Sequence, residues 1–402
     1  MTDAQSDVAT LIAATAPSDS PVAADIMPPT SPRLALVLGG GGLKGFAHIG
    51  VLQALEARGL RPAVFAGTSI GSLIAAARAF GVSVAEMTER AIALRRRDLF
   101  RINHVGMVME RMQSPSLYLE NPLRELVRAV VPHRRFSDLS TELLVSTVDL
   151  ERASQVVWGL PGLKDVWVDD AVYASCALPG FFPPGTVGGR ICVDGGTVDN
   201  LPESFTHSLG VDAVIAVDVG SSQIARAHGA GDLGFAGVFM RAATTMMNAL
   251  QGRHLAQHAG PPMLLIRPSI FHLDWFTFGR AEELIEEGRR AAEEAFDALD
   301  DMLAAPDGIY PRHKVRVSVN PALCIGCGIC VAMAPDMMAL DDARLAYPRQ
   351  PLVNWSPADG GFVRHCPTRA ISAHEAGTNA LMPAAEEPLQ RPRIRPRARS
   401  AG

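Results

Sequence analysis

Five apolar residues, Leu34-Ala35-Leu36-Val37-Leu38, run into the glycines Gly39 to Gly42 and then into Leu43-Lys44-Gly45-Phe46-Ala47-His48. A short apolar, partly β-branched run of this kind reads as a buried strand. The glycines permit a tight turn and let a ligand come close to the backbone. From Phe46 to Arg58 the apolar residues Ile49, Val51, Leu52 and Leu55 recur at helical spacing. A strand, a glycine turn and a helix follow one another, so free N–H groups and the positive end of the helix dipole face whatever sits in the turn. Such a turn holds a negative oxygen.

Three uses of the turn compete. Gly40-x-Gly42-x-x-Gly45 fits the dinucleotide fingerprint, which also requires an acid about 20 residues on. That region reads Ala63-Val64-Phe65-Ala66-Gly67-Thr68 and has no acid. A nucleotide P-loop requires Gly-Lys-Ser/Thr, and the order here is Lys44-Gly45-Phe46. An oxyanion hole is the third use, and the second strand favours it. That strand enters Gly67-Thr68-Ser69-Ile70-Gly71, a nucleophile elbow, with a helix from Ser72 to Phe80 behind it. A serine hydroxyl is a weak nucleophile and needs a neighbouring base. His207, His254, His258 and His272 follow Ser69 but lack a distinctive glycine or loop context. Asp194, followed by Gly195-Gly196, ends a strand, and so does its rival Asp218, beside Gly220-Ser221.

Further strands are expected at Leu143–Val148, Gln155–Trp158, Ile191–Val193, Asp212–Asp218 and Met263–Ile266, with helices at Asp169–Cys176 and Phe278–Leu303. Between Val82 and Val131 the reading is mostly helical, with Arg95-Arg96-Arg97 and the methionines Met107, Met109 and Met112. The plain meaning of these two features is a solvated face and a gap-filling core; the functional one is a lipid-contacting cap above the serine. Alternating strands and helices imply an α/β layered domain with a mostly parallel sheet.

Taken together, these motifs resemble the bacterial patatin-like phospholipases over roughly residues 33–305. Gly40-Gly41-Gly42-Leu43-Lys44-Gly45 is similar to the family's oxyanion motif, with lysine as an allowed variant, and Gly67 to Gly71 to its serine elbow. Ala174-Ser175-Cys176-Ala177-Leu178-Pro179-Gly180-Phe181-Phe182 resembles a loop of the bacterial members, and Asp194-Gly195-Gly196 the aspartate motif. The resemblance implies a three-layer α/β/α fold and a Ser69–Asp194 dyad working without histidine or calcium. It also implies an oxyanion hole built from Gly40, Gly41, Gly42 and Lys44, and a lipid or ester substrate.

A composition break at Pro306-Asp307-Gly308 and Pro311 marks a linker, 306–313, before a different module at 314–373. There Cys324-x-x-Cys327-x-x-Cys330 is joined by Cys366-Pro367. Thiolates at this spacing wrap three corners of an iron–sulfur cube, and the distant Cys-Pro supplies the fourth. A two-cluster ferredoxin would place another cysteine before Pro335, where Ala334 stands, so one cluster is expected. Zinc is the alternative, but its sites usually pair two C-x₂-C units. Val315–Ile371 resembles a bacterial single-cluster ferredoxin, which implies a small α+β domain, a [4Fe-4S] cluster (or [3Fe-4S] after loss of one iron) and a redox partner protein. Cys176 and Cys192 are expected as buried structural thiols.

Hydrophobic residues make up 48% of the 402, enough for a large core. The net charge of -5 and the lack of aromatic–basic interleaving give no nucleic-acid surface. Residues 1–32 have neither the basic start nor the apolar core of a signal peptide, and read as a disordered leader. No window reaches the ~18 apolar residues of a membrane span. A cytoplasmic location is therefore expected, with peripheral attachment to the inner membrane face as an option, and 374–402 reads as a disordered basic tail. Two functions follow: a lipid acyl hydrolase with an appended electron-transfer or redox-sensing domain, or an electron-transfer protein whose hydrolase-like part is a docking scaffold.

Overall fold

The computed structural model describes residues 32–103, 116–220, 235–270 and 272–377. The leader up to 31, Met107, Met109, Met112, Ser221 and the tail from 378 lie outside the described residues. From Arg33 onward the described residues belong to one compact unit.

Its centre is a nine-stranded sheet: β1 (Leu34–Leu38), β2 (Val64–Thr68), β3 (Glu142–Asp149), β4 (Ser154–Trp158), β5 (Gly185–Val187), β6 (Arg190–Asp194), β7 (Ala213–Val217), β8 (Met263–Ile266) and β9 (Ile309–Tyr310). The order is β5-β6-β3-β2-β1-β7-β8-β9, with β4 also on β3. Pairs from β3 through β9 along this path are parallel, whereas β4 and β6 meet β3, and β5 meets β6, antiparallel. Every residue of β1, β2, β7 and β8 is buried. Continuous apolar runs suit strands covered on both faces. Alternate residues then serve two cores: Leu36, Leu38 and Ile215 face one, Ala35, Val37 and Ala216 the other.

The first face is covered by α1 (Ala47–Ala57), α2 (Ile70–Ala79), α3 (Val84–Ala93) and α8 (Ala281–Ala295). Helices α1 and α8 cross at two glycines. A Cβ on Gly50 would stand 1.8 Å from the Ile285 carbonyl oxygen, and one on Gly288 1.9 Å from that of Ala47. The second face is covered by the 204–209 turn, by Leu255 near the end of α7 (Phe235–Ala256) and by Ala358. Short helices α4 (Arg96–Leu99) and α5 (Glu120–Arg128) precede β3, and α6 (Val168–Cys176) precedes β5.

Two expectations change. The segment 306–313 supplies β9, hydrogen-bonded to β8, because Ile309 is apolar enough to extend the sheet edge and is buried there. The long helix expected over 278–303 is divided into α8 and α9 (Leu299–Leu303) by a 3₁₀ turn at Phe296–Ala298 that buries Phe296. Beyond β9, β10 (His313–Val319) lies antiparallel between β13 (Leu352–Trp355) and β14 (Ile371–Glu375), and β11 (Met338–Leu340) pairs β12 (Ala346–Pro348). Helices α10 (Ile329–Met333) and α11 (Gly361–Arg364) complete an α+β module around Val315, Val317, Trp355 and Phe362. The closing strand continues past 373 to Glu375, where the tail was expected. No described helix is long and apolar enough to cross a membrane.

Candidate active site and cysteine site

Strand β2 ends at Thr68, and the next residue, Ser69, has φ 54° and ψ −130° before α2 begins. Positive φ in a non-glycine residue costs about 1–3 kcal/mol and needs surrounding structure to hold it. Three contacts do so. The Ser69 N–H donates to Ser175 Oγ at 2.9 Å, Ser175 Oγ donates to the Ser146 carbonyl at 2.7 Å, and Ser72 Oγ donates to the Ser69 carbonyl at 2.7 Å. Glycine on either side of the serine is a packing requirement. A Cβ on Gly67 would lie 2.5 Å from the Gly71 carbonyl carbon, and one on Gly71 2.0 Å from the Leu38 carbonyl oxygen.

Asp194 is the last residue of β6 and is 3% exposed. One carboxylate oxygen accepts the Gly196 N–H at 2.8 Å. Burial pushes its pKa up to about 6, opposed by hydrogen bonds from the Gly196 N–H and the Ser69 side chain. Asp218, the rival base, is committed elsewhere: it accepts Arg267 Nε at 3.1 Å and the Gly220 N–H at 3.1 Å. Ser69 and Asp194 both line one cavity, and Asp218 does not.

Around the glycine turn the hydrogen bonds sort the donors. Gly39 N–H donates to the Val217 carbonyl at 3.0 Å and Leu43 N–H to that of Trp275 at 2.8 Å. Asn200 clamps Gly40 from both sides, accepting its N–H at 3.1 Å and donating Nδ2 to its carbonyl at 3.0 Å. The N–H groups of Gly41 and Gly42 have no acceptor among the described residues. Gly40 is thus the held end of the loop rather than a free donor, and a Cβ there would come within 3.0 Å of Ser69 Cβ. Lys44 turns its side chain into the core. Its ammonium is fully buried and does not line the cavity. Burial pushes it down to about 8, against attraction from Asp218 and Asp274. Beneath the turn, His48 Nε2 donates to the Gly39 carbonyl at 2.8 Å, and burial pushes its pKa down to about 4, so it is a neutral brace.

The cavity above Ser69 measures about 350 Å³ and is walled by Phe46, Leu73, Met87, Leu99, Leu123 and Phe182. Apolar walls with a few convergent polar groups are the general form of a small-molecule site. Phe100 closes one side, with ring centroids 4.7 Å from Tyr118 and 5.2 Å from Phe276. No described histidine lines the cavity. Cys192 is buried as expected, whereas Cys176 is half-buried and lines the cavity, its thiol pushed up by burial and by the charge of Asp194. Asn200 and Ser175 are the positioning residues that motif reading did not single out. Ser175 stood inside a quoted motif, but Asn200 carried no signal beyond following the aspartate turn.

A second cavity, sharing no wall with the first, is lined by Cys324, Cys327, Cys330 and Cys366. All four are free thiols. Gly326 and Gly328, with φ 67° and 76°, turn the loop between them. N–H groups point at sulfur, from Ala346 to Cys324 Sγ at 3.4 Å and from Ala370 to Cys366 Sγ at 3.3 Å. Burial works to raise the Cys366 thiol, but N–H groups of Ala370, Thr368 and Ile371 and the Thr368 hydroxyl bring it below the ordinary range. Four cysteines on one cavity, two of them accepting amide N–H groups, are a donor set of the kind an iron–sulfur cluster takes.

Residues 36–206 match the patatin-like phospholipase family. An uncharacterized NTE family protein of Mycobacterium tuberculosis is 32% identical over 211 residues, covering 52% of this chain and 56% of the relative. Human patatin-like phospholipase domain-containing protein 6 is 33% identical over 203 residues, covering 48% and 14%. Lysophospholipase nte1 of Aspergillus fumigatus is 27% identical over 312 residues, covering 72% and 20%. The match therefore spans little more than half of the mycobacterial relative and a small part of the others. Among solved structures, VipD from Legionella pneumophila aligns with 16% identity and a TM-score of 0.39, over 66% of this chain and 67% of that one.

Proposed function

We propose, from the match of residues 36–206 to the patatin-like phospholipase family, that the chain is a serine lipid acyl hydrolase whose C-terminal cysteines hold one [4Fe-4S] cluster. The observation that carries the hydrolase reading is the meeting of Ser69 and Asp194 in one apolar cavity with no histidine on its described walls. Ser69 Oγ attacks the ester carbonyl while Asp194 takes its proton. The N–H groups of Gly41 and Gly42 receive the oxyanion, where fixed donors act without reorganising. Asp194 then returns the proton to the leaving alcohol, and afterwards takes one from the water that hydrolyses the acyl-enzyme. The apolar cavity houses the acyl chain. Exposed Ile92 and Leu119 are tied to the basic stretch of Arg95, Arg96, Arg97 and Arg101, Ile92 through its carbonyl to Arg95 and Leu119 through its N–H to the Arg101 carbonyl, so the cap offers both apolar and cationic groups to a lipid surface. Bound at Cys324, Cys327, Cys330 and Cys366, the cluster supplies one-electron transfer, for a redox partner protein or as a sensor.

Fatty-acid release from phospholipid vesicles and a nitrophenyl ester is measured for wild type and Ser69→Ala, alongside iron, sulfide and visible absorption of the same preparations. Wild type releases fatty acid, and Ser69→Ala folds, retains its absorption and loses at least about a thousand-fold in rate. Undiminished hydrolysis by Ser69→Ala refutes the serine reading. Colourless, iron-free protein from an anaerobic preparation refutes the cluster.

A further inference from the structure

Glu203, His207 and His258 bring one donor atom each to within 4.8 Å of one another, well away in sequence from Ser69 and from the cysteines. Glu203 precedes the 204–209 turn, His207 lies within it, and His258 follows the end of α7. His207 Nε2 lies 2.9 Å from one carboxylate oxygen of Glu203, and His258 Nδ1 3.1 Å from the other. The cluster is sheltered: the Glu203 and His258 side chains are 9% and 2% exposed, and Gly260 abuts the His207 ring so closely that a Cβ there would fall 2.1 Å from it.

The proton inventory is the informative part. His258 Nε2 stands 3.1 Å from the Pro261 carbonyl oxygen, which can only accept, so Nε2 carries a proton. Nδ1 stands 3.1 Å from the other Glu203 oxygen, to which it donates when the ring is protonated and offers a lone pair when the ring is neutral. His207 Nε2 and the nearer Glu203 oxygen are buried, and neither makes a hydrogen bond of proper geometry despite their closeness. With both rings neutral, one nitrogen of each imidazole and a Glu203 oxygen face a sheltered point that a cation can fill in place of a proton. Two histidines and a glutamate are a donor set used for zinc, and a ring N–H given to a backbone carbonyl is the usual way such a histidine is oriented. Metal bonds of about 2.0–2.2 Å at tetrahedral angles put ligand atoms about 3.3 Å apart, a few tenths of an ångström beyond the two histidine–glutamate separations of 2.9 and 3.1 Å.

We propose that Glu203, His207 and His258 form a binding site for a divalent cation of the zinc class. The site is independent of the hydrolase reading. Bound there, the metal fixes the 204–209 turn to the chain beyond α7, three residues past the Asn200 that clamps Gly40.

Wild type, His258→Ala and Glu203→Gln are dialysed in parallel against zinc and their metal content is counted. Zinc on the cysteines contributes equally to all three and cancels. Wild type retains one equivalent more than either variant. With cobalt in place of zinc, the wild-type-minus-variant spectrum shows visible ligand-field bands without sulfur-to-metal charge transfer. Equal zinc in all three proteins, the result expected of a plain imidazolium–carboxylate network, overturns the site, and so does a difference spectrum with thiolate charge transfer. Circular dichroism checks that each variant folds. Should one not fold, broadening of the His207 and His258 ring resonances by cobalt in wild type decides, and unbroadened resonances reject the proposal.

Discussion

Replacing Asp194 by asparagine should make the protein inactive and, at neutral pH, more stable. Burial raises the Asp194 carboxyl from 3.8 to about 6, so the folded protein holds that proton more tightly than the unfolded chain does. Between those two values the native state is the one that binds more protons, and stability falls as pH rises. Below 3.8 the group contributes no penalty; above about 6 the penalty is complete. Roughly two pH units at about 1.4 kcal/mol each give about 3 kcal/mol. Asparagine keeps the shape and still accepts the Gly196 N–H, but has no charge to desolvate. Denaturant titrations of both proteins at pH 4 and pH 8 measure the effect. The stability of Asp194→Asn relative to wild type should improve by about 3 kcal/mol from the lower to the higher pH. Hydrolysis at pH 8 should meanwhile drop by at least about a thousand-fold. A relative stability that does not change with pH, or moves the other way, refutes a buried, desolvated base at this position.

The same carboxyl sets a pH profile: kcat/KM should rise with pH through about 6 and then level off, since Asp194 must be ionised to accept a proton, and a profile flat through that region argues for another base. Single replacements of His207, His254, His258 or His272 should leave hydrolysis within about ten-fold of wild type, because none of them lines the cavity, and an inactive histidine variant would point to a three-residue triad. Asn200→Ala releases both bonds to Gly40 and should lower kcat by about a hundred-fold with KM little changed, measured by steady-state kinetics on a soluble ester.

How much of this was legible in the residues follows from how local each cause is. The strand–turn–helix at 34–58 and the elbow at 67–71 are read directly, since apolar periodicity and the need for glycine act within a few residues. Asp194 was separable from Asp218 only by resemblance, because what distinguishes them is long-range: Arg267 lies 49 residues beyond Asp218 and occupies it. The role of Asn200 was hidden for the same reason, its partner Gly40 standing 160 residues away. Lys44 belongs to the glycine-turn motif, but the full burial of its side chain depends on the core beneath the loop and could not be read from the motif. β9 was misread as linker because a two-residue strand leaves no period to detect, and its proline neighbours suggested a break.

The scaffold reading of the hydrolase part has to account for three costs concentrated at one point. Ser69 holds a left-handed φ at about 1–3 kcal/mol. Asp194 keeps a carboxylate out of water, a cost of about 3 kcal/mol at neutral pH. Gly41, buried, and Gly42, half-buried on the cavity wall, hold N–H groups with no acceptor among the described residues, and for a buried group that costs about 1–3 kcal/mol. A surface that only docks another protein gains nothing from any of these. Glycine in place of Ser69, asparagine in place of Asp194 and a turn with its amides satisfied would each relieve a scaffold of the corresponding cost. The cysteine module imposes no such strain on the sheet. It joins by ordinary means, with Arg267 donating to both Asp218 and the Pro357 carbonyl, Ser356 Oγ donating to the Ile309 carbonyl, and Ala358 packed into the second core. The unfavourable features lie together where an acyl transfer would need them, and that placement, more than any one residue, favours a working esterase.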